Sequence, residues 1–146
     1  MTDLRPMRWW DIDAVLVIEQ ELFPDAWSVE TFWAELARVP ETRHYLVADD
    51  DGAVVGYAGL MTVGRQADVQ TVAVAPDHQG QQLGATLLRA ILAEATSRGC
   101  TEVLLEVRAD NEPALHVYET AGFERISVRR GYYPGGVDGL VMRLRI

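Results

Sequence analysis

The feature that most constrains the fold of this chain lies at its middle. A run rich in β-branched residues, Val69 to Ala75, is closed by Pro76, passes through a glycine-containing loop and opens a long amphipathic helix, Gln81 to Arg98. A second apolar strand, Glu102 to Val107, follows. Within the helix Leu83, Leu87, Leu88, Ile91, Leu92 and Ala95 share one face, and Gly99 stands where a helix closes on a left-handed residue. Two strands joined through a helix of this length pair in parallel, because such a connection is a crossover that packs back on the sheet. The spacing therefore predicts a mixed α/β sheet with one parallel pair.

The flanking segments add antiparallel strands. Asp3 to Arg8 reads as a short extended piece, and Asp11 to Leu22 as a helix with Ile12, Val15, Leu16 and Leu22 on one stripe, stopped at Pro24. Ser28 has the chemistry of an N-cap for a helix from Val29 to Arg38, carrying Phe32 and Leu36 one turn apart. His44 to Ala48 and Val54 to Val63 are strands joined by the turn signal Asp50-Asp51-Gly52. Asn111 is a candidate N-cap for a short helix ending before Gly122, and Phe123 to Tyr133, Pro134-Gly135-Gly136 and Gly139 to Ile146 make a terminal hairpin.

Composition narrows the functional classes. With 146 residues, a single domain over residues 1–146 is expected, large enough to bury a core without metal or disulfide. Cys100 is the only cysteine, so an internal disulfide is impossible and a cysteine zinc site is disfavoured. The net charge of −9 argues against nucleic-acid binding through a broad basic surface and leaves room for a cationic acceptor. All 13 basic residues are arginine, so no lysine amine exists here to form a Schiff base. The longest uncharged stretch, Ala53 to Gly64, is too short to span a bilayer, and the N-terminal residues hold no apolar signal segment. The cytosol is the expected location, with no membrane partner.

Chemistry concentrates in Val72-Ala73-Val74-Ala75-Pro76-Asp77-His78-Gln79-Gly80-Gln81-Gln82-Leu83-Gly84-Ala85. A strand that runs through glycines into a helix leaves amide N–H groups without intrahelical partners, and such a terminus attracts anions. The spacing is neither G-x-x-x-x-G-K nor G-x-G-x-x-G, which excludes a Walker loop and disfavours a dinucleotide fold. By itself the turn also reads as glycines serving geometry alone.

The loop resembles the pyrophosphate loop of the GCN5-related N-acetyltransferase (GNAT) superfamily, [QR]-x-x-G-x-[GA]. Gln79, Leu83 and Gly84 fit that frame, while Gln82 replaces its first glycine. The preceding TVAVAPDHQG and the later NEPALHVYETAGF, Asn111 to Phe123, resemble the same superfamily, and the element order matches over essentially the whole chain. Phe23 to Phe32, Leu104 to Asn111 and Arg129 to Pro134 are most similar to the RimI-type ribosomal-protein alanine N-acetyltransferases. The resemblance implies a mostly antiparallel seven-stranded sheet with a parallel crossover pair and helices on both faces. It also implies acetyl transfer from acetyl-CoA, without metal, to a protein N-terminal α-amine. The typical acceptor is alanine on the eighteenth small-subunit ribosomal protein.

By position, the resemblance gives Val72, Ala73 and Val74 backbone contacts to pantetheine. It makes Gly80, Gln81, Gln82, Leu83, Gly84 and Ala85 a cradle for the pyrophosphate and Asn111 a further coenzyme contact, with Glu106 as general base and Tyr118 as general acid. The residues themselves leave alternatives open. An α-ammonium must lose a proton before it attacks a thioester, which suits a carboxylate such as Glu106. Glu106 also reads as a strand carboxylate paired with Arg108 or facing solvent, and Asp68 is a rival base. Tyr118 either protonates the leaving thiolate or packs its ring. His78 and His116 lack a suggestively spaced partner and read as solvent-facing, His44 as structural, and Cys100 as a buried apolar residue. Trp9, Trp10, Trp27 and Trp33 either close the helical flank of the core or contribute to an acceptor groove. In the second reading Phe23 to Ser28 forms one wall and Tyr132 and Tyr133 the other, with Trp27 and Tyr133 foremost. Two other activities remain alternatives: acetylation of a small amine or lysine side chain, and non-catalytic acyl-CoA binding, which Gln82 keeps open.

Overall fold

In the computed structural model, which describes residues 2–80 and 82–146, the predicted element order is present. The strands are β1 (Thr2–Pro6), β2 (Arg43–Asp50), β3 (Ala53–Val63), β4 (Gln66–Val74), β5 (Glu102–Arg108), β6 (Glu124–Tyr133) and β7 (Val137–Arg145). The helices are α1 (Ile12–Leu22), α2 (Val29–Leu36), α3 (Leu83–Ser97) and α4 (Glu112–Thr120). They form one sheet in the order β1-β2-β3-β4-β5-β7-β6. Only β4 and β5 pair in parallel; the other neighbours are antiparallel. The crossover through α3 accounts for that pair, as the sequence spacing requires.

Caps set the helix ends. Ser28 Oγ accepts from the Thr31 N–H at 3.2 Å, and Asn111 Oδ1 accepts from the Ala114 N–H at 3.3 Å. At α3 the predicted start moves inward: Gln82 is the N-cap and Leu83 the first helical residue. Asp11, almost fully buried, takes a two-pronged bond from Arg5 at 2.8 Å per oxygen and the Arg8 N–H at 2.8 Å, which fastens the entry to α1.

Two apolar clusters lie on opposite faces of the sheet. Leu87, Leu88, Ile91 and Ala95 of α3 pack with Val103, Leu105 and Val107 of β5 and Leu115 and Tyr118 of α4. Ile12, Val15, Ile18 and Phe32 pack with Tyr45, Val47, Tyr57 and Ala73. In the second cluster the Tyr45 ring lies flat on Gly59, where a Cβ would stand 2.2 Å from the ring. The same tyrosine donates to Glu35 at 2.7 Å, so the ring is held in place. No helix among the described residues is long and apolar enough to cross a membrane.

Candidate active site

β4 and β5 pair at only three positions, Gln66 with Glu102, Ala67 with Val103 and Asp68 with Leu104, and then part. The cause lies on the other side of β4. Against β3 the register steps from Leu60–Val69 to Gly59–Thr71, leaving Gln70 unmatched, and a bulge of this kind bends the strand that carries it. A cleft of about 150 Å³ fills the gap. β4 lines it with Val69 to Val72, β5 with Glu106 to Arg108, and α4 with Asn111, Ala114 and Tyr118. α1 and the following loop add Glu19, Phe23, Asp25 and Trp27, and the terminal hairpin adds Tyr133. A shallower depression of about 610 Å³ lies around Thr42, Thr62 and Arg98. Its one cation, Arg98, is already engaged by Glu94, Thr62 Oγ1 and the Arg43 carbonyl.

Strand parity gives Glu106 its direction. Val103, Leu105 and Val107 are buried beneath α3 and α4, so Glu106 projects from the opposite face, the side of α1 and α2. Its Oε1 lies 3.1 Å from Nη2 of Arg129, which reaches across β7 from β6. Arg108, its partner in the alternative reading, instead bonds Asp110 at 3.0 and 3.1 Å and lays its guanidinium 5.3 Å from the centre of the Tyr133 ring. Tyr118 enters from the other face, buried and edge-on to Phe123 at 5.9 Å. Burial, with Tyr133 adding to it, pushes the Tyr118 phenol well above its ordinary pKa, so it holds its proton at neutral pH. A carboxylate from one face and a protonated phenol from the other therefore meet one opening through the sheet.

Asp68 stands at the last β4–β5 rung, outside the lining, with Gln66 donating to it at 3.4 Å. Burial raises its pKa. Cys100 is buried before β5 begins, its Sγ 3.9 Å from the Gly64 carbonyl, as a packed apolar residue would be.

The N-terminus of α3 comes up beside this opening. Gln82 takes a left-handed backbone, φ 61°, a conformation that glycine adopts more readily. It offers no side-chain cap. The first intrahelical bond runs from the Thr86 N–H to the Gln82 carbonyl at 3.1 Å, so the amides of Leu83, Gly84 and Ala85 precede the helix ladder. A Cβ at Gly84 would touch Val74 at 3.8 Å and Val117 at 3.9 Å, which places this turn between the end of β4 and α4. Gln79 Nε2 ties the loop to the Val74 carbonyl at 3.1 Å. Of the expected coenzyme residues, Val72 and Asn111 line the cleft itself. Ala73, Val74, Gly80, Gln82, Leu83, Gly84 and Ala85 follow outside it, and Gln81 falls outside the described residues. The solvent-facing expectation for His78 is corrected: it is part-buried, its Nε2 3.4 Å from Asp50.

Of the residues expected to wall an acceptor groove, Trp27 and Tyr133 line the cleft but Tyr132 does not. Tyr132 is 52% exposed, with the Arg129 guanidinium 5.2 Å from its ring centre. The two rings close over Gly139, where a Cβ would stand 3.2 Å from Tyr133 and 3.3 Å from Tyr132. The core-flank reading fails for Trp9, Trp10 and Trp33, which are 59%, 61% and 49% exposed and contact one another. Trp27 alone packs inward, against Phe32 at 5.2 Å. Sequence reasoning missed Glu19, Gln70, Thr71 and Arg108. Glu19 had a signal: it falls in phase with Ile12, Val15 and Leu16 on the apolar stripe of α1, where a carboxylate is out of place.

Residues 12–123 match the acetyltransferase (GNAT) family model. The N-alpha-acetyltransferase RimI of Mycobacterium tuberculosis is 41% identical over 133 residues, covering 86% of this chain and 81% of that protein. The crystal structure of the ribosomal-protein-S18-alanine N-acetyltransferase from Escherichia coli superposes with a TM-score of 0.90 at 33% identity, covering 100% of this chain and 94% of that one. Similar in fold, at 21% identity and a TM-score of 0.85, is yncA from Salmonella typhimurium with its cofactor acetyl-CoA; the match covers 99% of this chain and 94% of that one.

Proposed function

Because the chain belongs to the GNAT acetyltransferase family, we propose that it transfers the acetyl group of acetyl-CoA to the N-terminal α-amine of a protein. The proposed acceptor is the N-terminal alanine of the ribosomal protein named for its relatives, S18. The observation that carries this reading is the opening between β4 and β5, with Glu106 on one face and Tyr118 on the other. Coenzyme and acceptor then approach from opposite faces of the sheet and meet within it.

The residues present fit the coenzyme. Beyond Asp68, β4 has no ladder partner from β5, so its backbone is available to an amide-bearing chain such as pantetheine. The uncapped amides at Leu83, Gly84 and Ala85 suit a pyrophosphate. Asn111 already spends its side-chain oxygen capping α4, which leaves its amide nitrogen for any coenzyme contact. When bound, acetyl-CoA supplies an activated acyl thioester. Glu106 takes a proton from the acceptor ammonium, directly or through a water, which frees the nitrogen lone pair to attack the acyl carbon, and the second proton leaves to solvent once the C–N bond has formed. Tyr118 gives its proton to the departing sulfur as the C–S bond breaks. Trp27 and Tyr133 hold the acceptor between them.

The test is mass spectrometry of two peptides incubated with acetyl-CoA. One begins with alanine; the other has a blocked N-terminus and an internal lysine. Acetylation of the first alone is expected. Acetylation of the lysine peptide alone, or of neither, refutes the reading.

A further inference from the structure

Glu19 is a carboxylate that the proposed mechanism does not use, yet it lines the same cleft and is only 3% exposed. Its Oε1 accepts from the Tyr57 hydroxyl on β3, and its Oε2 accepts from the Trp27 backbone N–H at 3.0 Å. Burial is the largest influence on its pKa and raises it; the two hydrogen bonds oppose the shift and Asp25 adds to it. A carboxylic group buried on the apolar stripe of α1 is costly to keep there, and an apolar side chain would cost less. What an apolar side chain lacks is a grip on the loop. Trp27 lies between α1 and α2, and its amide bonds a side chain from α1 rather than a helix or strand.

We propose that Glu19 is a positioning residue for the acceptor: it fastens the loop at Trp27 to Tyr57 on β3 and so sets the distance between Trp27 and Tyr133 across the mouth of the cleft. The assignment rests on the reading of this cleft as an acetyltransferase site. Glutamine can keep both links, its oxygen accepting from Trp27 and its amide donating to the Tyr57 oxygen, whereas alanine keeps neither.

Two measurements on the full chain separate this proposal from the acetyltransferase reading. Hydrogen exchange at the Trp27 amide probes the link without any acceptor. It should quicken at least tenfold in Glu19→Ala and stay near wild type in Glu19→Gln. Steady-state kinetics with the alanine-initiated peptide should show KM for the peptide raised about tenfold in Glu19→Ala, with kcat within threefold and the acetyl-CoA Kd unchanged. Glu19→Gln should restore KM. If Glu19→Ala fails to fold, Tyr57→Phe, which removes one link, should raise peptide KM by a smaller factor with the same unchanged coenzyme Kd. Unchanged exchange at Trp27, or a Glu19→Gln variant as impaired as Glu19→Ala, overturns the positioning role. A wild-type protein that turns over no peptide refutes the acetyltransferase reading, and the exchange data then decide the Glu19 link alone.

Discussion

Replacing Glu106 with glutamine keeps the size of the side chain and removes its ability to take a proton. A peptide α-amine with a pKa of about 7.7–8.0 is only about one-eighth neutral at pH 7, so most acceptor molecules arrive as ammonium. Glu106 is about one-third exposed (35%) and faces an open cleft, so water can replace part of its work. That places the loss in kcat/KM near the lower end of the range for a general base, about 10²–10³-fold at pH 7. Raising the pH to 9 lets solvent deprotonate the amine and enlarges the neutral fraction about eightfold, so the deficit should shrink by about that factor. The assay is kcat/KM for the alanine-initiated peptide from pH 6.5 to 9, with Asp68→Asn as the control. Asp68 stands outside the cleft lining, so its variant should lose less than about threefold. A deficit in Glu106→Gln that is constant with pH, or a larger pH-dependent loss in Asp68→Asn, refutes the assignment.

Tyr118→Phe should lower kcat about 10²-fold while the acetyl-CoA Kd, read by calorimetry, stays within threefold; wild-type kcat would return Tyr118 to a packing role. Gln82 adopts a left-handed backbone that costs a side-chain-bearing residue about 1–2 kcal/mol. Gln82→Gly should therefore raise Tm by about 3 °C without weakening acetyl-CoA; a large loss of binding would make the Gln82 side chain a ligand contact. Asp11→Asn should cost about 1–3 kcal/mol at pH 7 by thermal unfolding. Burial alone would raise the Asp11 pKa, but the bonds from Arg5 and Arg8 outweigh it and hold the pKa below the ordinary value. Its contribution is thus present above the unfolded carboxyl pKa and lost as pH falls through the lower folded value, so the cost should fade toward pH 3. An equal cost at both pH values would refute the linkage.

Local chemistry determined more of this protein than its length suggests. Hydrophobic period separated helices from strands, Ser28 and Asn111 announced their caps, and the strand–loop–helix–strand run favoured the parallel pair found between β4 and β5. Period and caps are set by residues within a few positions of one another, and the crossover by one contiguous run of the chain. The family resemblance named Glu106 and Tyr118 as base and acid candidates, and the structure brings both to one cleft.

Tertiary structure decided what depends on residues distant in sequence. The partner of Glu106 is Arg129, which β7 brings within reach of β5, rather than the neighbouring Arg108. Tyr132 and Tyr133 are adjacent on β6, and only the fold shows that Tyr133 is the one that lines the cleft. His78, just after β4, meets Asp50 at the end of β2, a contact no spacing rule reveals. Glu19 is the clearest case: its place on the apolar stripe marked it as unusual, but its partners come from β3 and from the loop before α2. Short-range preferences are written residue by residue, whereas the pairing of buried charges is set by which elements the fold brings together.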